Sequence, residues 1–342
     1  MSGSADTKAL VFGSAAIGFA PFFCFFFQII FPKPQLLIVS ITAAFFYLLS
    51  ASAASLVWYI LNPVIGLGGA WAAIIPGVFF QFIFRSLFVN IYFRVENVIE
   101  ASIAKSEEEQ QENNEETEDD AVQAAKNRLA LNDLACGLAA GVGFGGMHAI
   151  LLFGSLLASE TFDAGILYQP SCPMVPSLTV SSLNTFCFFF LDIFWMLFTF
   201  FGMRRRLLFP RGGGALSHIN PLSRRFGSWY GNTRMGGNYA LLTCLSSHFL
   251  AAFFTTFNGF KYGCTFSLTL LPCATAVVAY LYWAGISKIY LPAANSNVRL
   301  SLPASFSYGS RAGEGVLGVS NDEDEDDETN DDETNDETAT DF

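Results

Sequence analysis

Charged residues are scarce in this chain. Only 14% of its 342 residues are Asp, Glu, Lys or Arg, whereas a soluble domain usually has about a quarter. Hydrophobic residues make up 52% and aromatic residues 15%, with 37 phenylalanines among them. Lipid accepts phenylalanine on every face of a helix but a water-facing surface does not, so the composition predicts an integral membrane protein.

The sequence also lacks the common catalytic and metal-binding motifs. It has no CxxC or HExxH motif for a metal and no GxSxG motif for a serine nucleophile. An aspartyl protease needs two facing carboxylates, but only Asp192 is central in a hydrophobic segment, because Asp133 lies at the start of one. The last hydrophobic segment has no lysine for a retinal Schiff base. We therefore expect no catalytic residues, no metal and no cofactor.

Seven hydrophobic segments are long enough to cross a bilayer, which takes about 20 apolar residues of helix. They cover residues 9–31, 35–61, 68–93, 131–157, 178–202, 239–258 and 265–286. The first is too long for the hydrophobic part of a cleavable signal. We predict an all-α polytopic membrane protein, with a seven-helix membrane domain over residues 1–292.

Most of the acidic residues lie in two hydrophilic stretches. Nine occur between Glu107 and Asp120, and thirteen between Asp322 and Asp341. Both stretches have too few apolar residues to fold, so we predict a disordered acidic loop at residues 104–125 and a disordered acidic tail at residues 293–342. A solvating role fits such runs better than an interaction role, and the net charge of -12 disfavours a nucleic-acid partner.

The basic residues predict the orientation. With the amino terminus outside (lumenal) and the carboxyl terminus in the cytosol, 15 of the 18 Lys and Arg lie on the cytosolic side and two outside. A basic cytosolic loop at residues 203–238 holds seven arginines. Cys172 and Cys264 both lie on the oxidising outer side, where they either form a disulfide or remain two separate thiols.

The fourth segment contains a stripe of glycines. Gly137, Gly141 and Gly145 lie on one helical face, with His148 one turn further. In lipid, small side chains let helix backbones touch, so this tandem GxxxG pattern predicts close helix packing, and we expect the groove to receive a neighbouring protein's helix in an assembly. The alternative is a flexible or kinked helix, which the absence of proline from this segment disfavours.

Five polar residues lie at membrane depth: Gln81 and Arg85 in the third segment, His148 in the fourth, Asp192 in the fifth and His248 in the sixth. An acid there costs about 2.5 to 3.5 kcal/mol on insertion scales. We therefore predict contacts among several of them. A structural cluster that fixes helix register is favoured over a proton or ion pathway, because the residues span a limited depth. Alternatively, Arg85 snorkels toward the inner interface.

The order of motifs resembles the anterior pharynx-defective (Aph-1) family, the seven-span scaffold subunit of the γ-secretase complex. The resemblance covers roughly residues 9 to 290, in the family's order, which is more specific than any one motif. The motifs are FGSAAIGFAP, AAFFYLLSASAASLVWYIL, QFIFR, the stripe of Gly137, Gly141 and Gly145, FW followed by RRR, SSHFLAAFFTTFN around His248, and SLTLLP.

The resemblance implies a non-catalytic scaffold that holds presenilin, nicastrin and the presenilin enhancer subunit together for intramembrane proteolysis and protein processing, including Notch signalling. It also implies that the glycine helix supports assembly. The expected location is the endoplasmic reticulum, Golgi, endosomal and plasma membranes.

The chain departs from the family pattern in two helices. The family usually has a histidine just before FW in the fifth helix, where this chain has Asp192, and an acid after the glutamine of the third, where this chain has Phe82. The hypothesis is that the acid has moved to the fifth helix and stays in one polar cluster with His248. The alternative function is a proton- or ion-coupled small-solute transporter using Asp192, His248 and His148; a seven-helix receptor is a weaker third option.

Overall fold

The computed structural model describes residues 3–65, 70–113, 133–162, 168–208, 230 and 233–285. Within these ranges, seven helices are long and apolar enough to cross a membrane, as the sequence predicted. Helices suit this setting because every backbone N–H and C=O is bonded within the segment, where lipid offers no partner.

The seven spans are numbered α1 to α7. They are α1, Gly3–Phe25 with a π-helical turn at Phe26–Ile30; α2, Pro34–Ile65; α3, Ala70–Asn113; α4, Asp133–Ala149 followed by a π-helical turn at Ile150–Gly154 and by Ser155–Phe162; α5, Ser177–Leu208; α6, Arg234–Thr256, followed by a 3₁₀ turn at Phe257–Gly259; and α7, Cys264–Gly285.

Two helices form the centre of the bundle. In the most apolar stretch of each span, 78% of α5 and 72% of α4 is buried, against 11% of α1. α4 packs along α5, α2 packs on α4, and α6 and α7 pack on α5. α3 joins α2 to α6. Side chains that α4 and α5 direct toward each other or toward α3 and α6 are therefore shielded from lipid.

A disulfide joins the connections at one end of the bundle. A short antiparallel hairpin, β1 (Tyr168–Gln169) and β2 (Cys172–Pro176), precedes α5. Cys172 is bonded to Cys264 at the start of α7, with 5.5 Å between the Cα atoms. The sequence left this pairing open, and the structure contains it. We call this end of the bundle the disulfide-bonded end.

Three helices extend into the loops that the sequence predicted. α3 continues to Asn113, so the predicted disordered loop at residues 104–125 is helical over residues 104–113. Glutamate, glutamine, lysine and alanine dominate there and are good helix formers, which outweighs the lack of apolar surface. α5 ends at Leu208 and α6 begins at Arg234, both inside the basic loop at 203–238. Residues 114–125 and 209–229 and the tail at 293–342 lie outside the described residues.

Candidate functional site

Four helices meet at a buried polar cluster formed by the five polar residues that the sequence singled out. Gln81 and Arg85 come from one face of α3, His148 from α4, Asp192 from α5 and His248 from α6. Arg85 and Asp192 have no exposed surface, and the two histidines are buried. We call these five residues the polar cluster.

An ion pair between Arg85 and Asp192 forms the core of the polar cluster. Nη2 of Arg85 donates to Oδ1 of Asp192 and also to Oε1 of Gln81, at 3.2 Å. The second carboxylate oxygen, Oδ2, lies 2.8 Å from Nδ1 of His148. Nη1 of Arg85 lies 3.2 Å from Nδ1 of His248. Arg85 is fully buried here, so the snorkelling alternative is not adopted.

These partners define what each imidazole does. A guanidinium only donates, so Nδ1 of His248 accepts from Arg85, and the ring is neutral with its hydrogen on Nε2. A carboxylate only accepts, so Nδ1 of His148 donates to Asp192. Arg85 and Asp192 contribute one positive and one negative charge, which balance each other within the chain.

Asp192 and His248 share the cluster as hypothesised, but their link runs through Arg85. The bonds of the carboxylate go to Arg85 and His148, and the bond of His248 goes to Arg85. The acid on α5 therefore neutralises the arginine on α3, and the guanidinium lies between the acid and the histidine of α6.

Aromatic rings enclose the polar cluster. The ring of Trp195 stacks on His248 with centroids 4.0 Å apart, and its Nε1 donates to Ser247 at 2.9 Å. The guanidinium carbon of Arg85 lies 5.1 Å from the ring of Trp195 and 5.2 Å from that of Phe144. Tyr47 stacks on His148 at 5.4 Å. These rings shield the Arg85–Asp192 pair from water and lower the dielectric around it, which strengthens the bonds between the two side chains.

The glycine stripe packs against α5 of the same chain. A Cβ on Gly141 would lie 2.6 Å from the Cα of Ile193, and one on Gly137 would lie 2.9 Å from the side chain of Leu197. One on Gly145 would lie 2.9 Å from the ring of Phe189. Close packing is present, but it is internal: the groove that we expected to receive a neighbouring protein's helix is filled by α5.

Other glycines of α4 face the outer helices. A Cβ on Gly143 would collide with the carbonyl oxygen of Ser40 in α2, and one on Gly146 would collide with the ring of Phe22 in α1. These two contacts were not predicted, because Gly143 and Gly146 lie on other faces of α4 than the stripe of Gly137, Gly141 and Gly145. Glycine on several faces lets α1, α2 and α5 all approach α4 closely.

A second charged cluster lies at the end opposite the disulfide. Arg204 in α5 donates from Nε and Nη2 to the carboxylate of Asp133 in α4, at 2.8 and 2.6 Å, and from Nη2 to Glu96 in α3 at 2.6 Å. Its guanidinium lies over the ring of Phe93 at 4.0 Å. In the sequence these residues look like ordinary loop-flanking charges, so the contact was not predicted. It ties the start of α4 and the last turns of α5 to α3.

A cavity of ≈ 730 Å³ leads from the polar cluster toward the disulfide-bonded end, between α3, α4, α5 and α6. His148 and His248 line its inner end. Ser159, the last residue of the fourth span, and Ala73, the first of the third, lie at its outer end. The polar residues between are Gln81, Ser155, Ser181, Asn184, Thr185 and Thr255. We call this space the polar cavity.

The polar cluster is better suited to holding helices together than to catalysis or metal binding. The carboxylate at the centre is paired with Arg85 and His148, whereas Glu96 and Asp133 pair with Arg204 at the end opposite the disulfide. In the same part of the chain, no group of three or more His, Cys, Asp or Glu could hold a metal ion.

Comparisons with known proteins agree with the resemblance seen in the motifs. A model of the family described as Aph-1 protein matches residues 9–288, which include all five residues of the polar cluster. The chain is also similar to the gamma-secretase subunit APH1-like of Arabidopsis thaliana. The two are 27% identical over 201 residues, which cover 57% of this chain and 72% of the relative.

Proposed function

The chain belongs to the Aph-1 family, and from this membership and the geometry of the polar cluster we propose that it is the scaffold subunit of a γ-secretase complex. It holds presenilin, nicastrin and the presenilin enhancer subunit together for intramembrane proteolysis and has no catalytic residues of its own. The plant relative, named as a γ-secretase subunit, supports this assignment.

The observation that carries the scaffold role is the polar cluster, whose two charged side chains are paired within the chain. Each of the four helices supplies a side chain whose partner lies on another helix, and the two charges cancel inside the chain. A charge pair buried in an apolar bundle fixes the rotation and depth of the helices that carry it, because any other register leaves a charge unpaired. A fixed bundle presents a constant surface to the other subunits.

The glycines of α4 act in assembly through this fixed bundle. They bring α1, α2 and α5 close to one central helix. A bulky side chain at Gly141 would push α5 away from α4 and so displace the outer surfaces on which other subunits dock. The effect on assembly is indirect, because the stripe itself is buried.

We place the chain in endoplasmic reticulum, Golgi, endosomal and plasma membranes, with its amino terminus lumenal. The disulfide between Cys172 and Cys264 supports this orientation, because disulfides form and persist in oxidising compartments such as the lumen.

A second candidate is the proton- or ion-coupled transporter. The polar cavity favours a transporter, because the cavity leads from one end of the bundle to His248 and to His148, the partner of Asp192. Beyond the cluster, however, aromatic packing fills the bundle. Phe200 contacts Phe88 at 6.3 Å and Phe93 at 5.9 Å between ring centroids. A transport path would have to pass this layer, so the scaffold is the better supported function.

Two measurements on the full-length chain separate the candidates. The tagged chain is extracted from membranes in mild detergent and the co-purifying proteins are identified by mass spectrometry. The purified chain alone is also reconstituted in liposomes, and proton and cation flux is measured for the wild type and for Asp192→Asn. The scaffold predicts stoichiometric membrane subunits and no flux. Flux by the isolated chain that Asp192→Asn abolishes would favour the transporter instead.

A further inference from the structure

The polar cavity has the size and lining to hold water. At about 30 Å³ for each water molecule, its volume admits on the order of twenty waters. The hydroxyls of Ser155, Ser159 and Thr185 donate to carbonyl oxygens of their own helices, which leaves their oxygen lone pairs as acceptors. Asn184 and Thr255 add polar atoms on α5 and α6. With Gln81 on α3, polar side chains line the cavity on all four of its helices, so water inside it finds hydrogen-bond partners.

One of the two imidazoles at the inner end of the cavity has a free basic nitrogen. His248 accepts at Nδ1 and carries its hydrogen on Nε2, so it offers only a donor to the cavity. His148 donates from Nδ1 to Asp192, and in the neutral form of the ring Nε2 then has a lone pair and no hydrogen. Within the described chain, we find no hydrogen bond to Nε2 of either ring.

We propose that the polar cavity is filled with water from the disulfide-bonded side and that Nε2 of His148 is a proton-binding site at its inner end. A hydronium ion in the cavity transfers its proton to Nε2 and leaves a water molecule behind, while the Nδ1–H bond to Asp192 remains. The polar cluster then changes from neutral to a net charge of plus one. This proton site lies outside the scaffold role and does not depend on it.

Charged and titratable groups near His148 lie on four helices, α2, α3, α5 and α6. Asp192 on α5 accepts its hydrogen and stabilises a positive ring. Arg85 on α3 and His248 on α6 lie on the other side of that carboxylate, and Arg85 opposes the added charge. The uncharged ring of Tyr47 on α2 stacks on the ring of His148. A protonated His148 competes with Arg85 for Asp192, so proton binding weakens the ion pair that links α3 to α5.

Water access is tested by single cysteines in sealed vesicles, in a chain whose exposed Cys24 and Cys273 are replaced by alanine. Asn184 lines the cavity, whereas its neighbour Leu183 faces outward with 38% of its surface exposed. A charged, membrane-impermeant thiosulfonate applied from the disulfide-bonded side should modify Asn184→Cys several-fold faster than Leu183→Cys. Equal rates would mean a dry cavity and would overturn the proposal.

A leucine that obstructs the cavity can be compared with a matched leucine outside it. A Cβ on Gly77, which lines the cavity, would meet no atom within 4 Å, and the same holds for Gly13 in α1, away from the cavity. Both positions should accept leucine. Gly77→Leu should slow the modification of Asn184→Cys, and Gly13→Leu should leave it unchanged. If both variants behave alike, the reagent does not enter through the cavity.

Proton binding is tested by deuterium exchange at the C2 carbon of each histidine, read by mass spectrometry between about pH 5 and 8, the range in which histidine ordinarily titrates. The exchange rate at His148 should follow a sigmoidal pH dependence and fall in Gly77→Leu but not in Gly13→Leu. A rate at His148 that is flat across this range, while a histidine-containing peptide titrates normally in the same buffer, would refute the proton site even if the cavity is wet.

Discussion

At the residue scale, the Arg85–Asp192 pair has no exposed surface and lies among aromatic rings. Moving a charge into such a site is unfavourable, and the attraction between partners offsets that cost only while both are present. Removing one partner of a buried pair typically costs about 3–5 kcal/mol, whereas replacing both by apolar side chains is often nearly neutral. The Arg85–Asp192 pair therefore determines which helix arrangement forms, and it adds little to the free energy of unfolding beyond what apolar side chains would contribute.

The first prediction follows from this asymmetry. Asp192→Leu leaves the Arg85 guanidinium unpaired, so it should lower the thermal midpoint of the purified chain strongly. The double variant Arg85→Met, Asp192→Leu should recover much of that loss. Thermal unfolding in detergent, followed by circular dichroism, is measured for the wild type, for Asp192→Leu, for Arg85→Met and for the double variant. If the losses of the single variants simply add in the double variant, the pair is not coupled as the structure describes.

A second prediction concerns the indirect link between Asp192 and His248. Because Arg85 lies between them, a double-mutant cycle with Asp192→Asn and His248→Phe should show non-additive effects on the thermal midpoint. The same cycle in an Arg85→Met background should become additive. Coupling that persists without Arg85 would mean a direct contact between the acid and the histidine.

At the scale of the elements, glycines have opposite roles in two helices. Gly141 on α4 lies against the backbone of α5, which cannot move without displacing the helix. Gly77 on α3 borders open space in the polar cavity. Glycine therefore allows a close helix–helix contact at Gly141, whereas at Gly77 it leaves space in the polar cavity. Hydropathy and spacing do not distinguish the two.

The third prediction compares alanine at these positions. Gly141→Ala should lower the thermal midpoint, because the added Cβ meets the Cα of Ile193 at 2.6 Å. Gly77→Ala should leave the midpoint unchanged or raise it, because alanine is favoured over glycine in a helix by about 1 kcal/mol. Thermal unfolding of both variants under identical detergent conditions provides the test. A midpoint for Gly141→Ala at or above the wild-type value would be inconsistent with the close crossing.

Part of this architecture could be predicted from the sequence. The seven spans follow from apolar length, and Asp192 and His248 stand out because a polar side chain within such a span needs a partner. Which partner it finds depends on how each helix is rotated and on which helices are neighbours. Neither is encoded locally, so the Arg85–Asp192 pair and its bridge to His248 were visible only in the structure.

Other contacts were hidden because their residues looked unremarkable or lay far apart in the chain. Gly202 in α5 and Gly237 in α6 cross so closely that a Cβ on Gly237 would lie 2.6 Å from the carbonyl oxygen of Gly202. Neither belongs to a GxxxG repeat within its own helix. Arg204 likewise appeared as one of several loop arginines, and its two carboxylate partners lie on other helices.

At the scale of the whole molecule, the disulfide closes a loop of 92 residues that contains α5 and α6. A cross-link of this kind typically contributes about 2–4 kcal/mol, mainly by restricting the unfolded chain. Together with Arg204 at the other end, it secures both ends of the most buried helix. The polar cluster lies between these two attachments.

The fourth prediction is that a membrane-permeant reductant lowers the thermal midpoint of the wild-type chain. The variant Cys172→Ser, Cys264→Ser should have the lowered midpoint already and show no further response. Unfolding with and without reductant compares the two proteins. A wild-type midpoint that does not respond to reductant, with loss of the disulfide verified by mass spectrometry, would contradict a stabilising role.

The central claim is that internal packing around α4 and α5 fixes the surface on which a multi-subunit complex assembles. The most direct test is quantitative co-purification of presenilin, nicastrin and the presenilin enhancer subunit with the tagged chain, carrying Gly141→Leu or the lipid-side control Gly13→Leu. We predict that Gly141→Leu loses most of the bound subunits while Gly13→Leu retains them at wild-type stoichiometry. Full retention by Gly141→Leu would contradict the account.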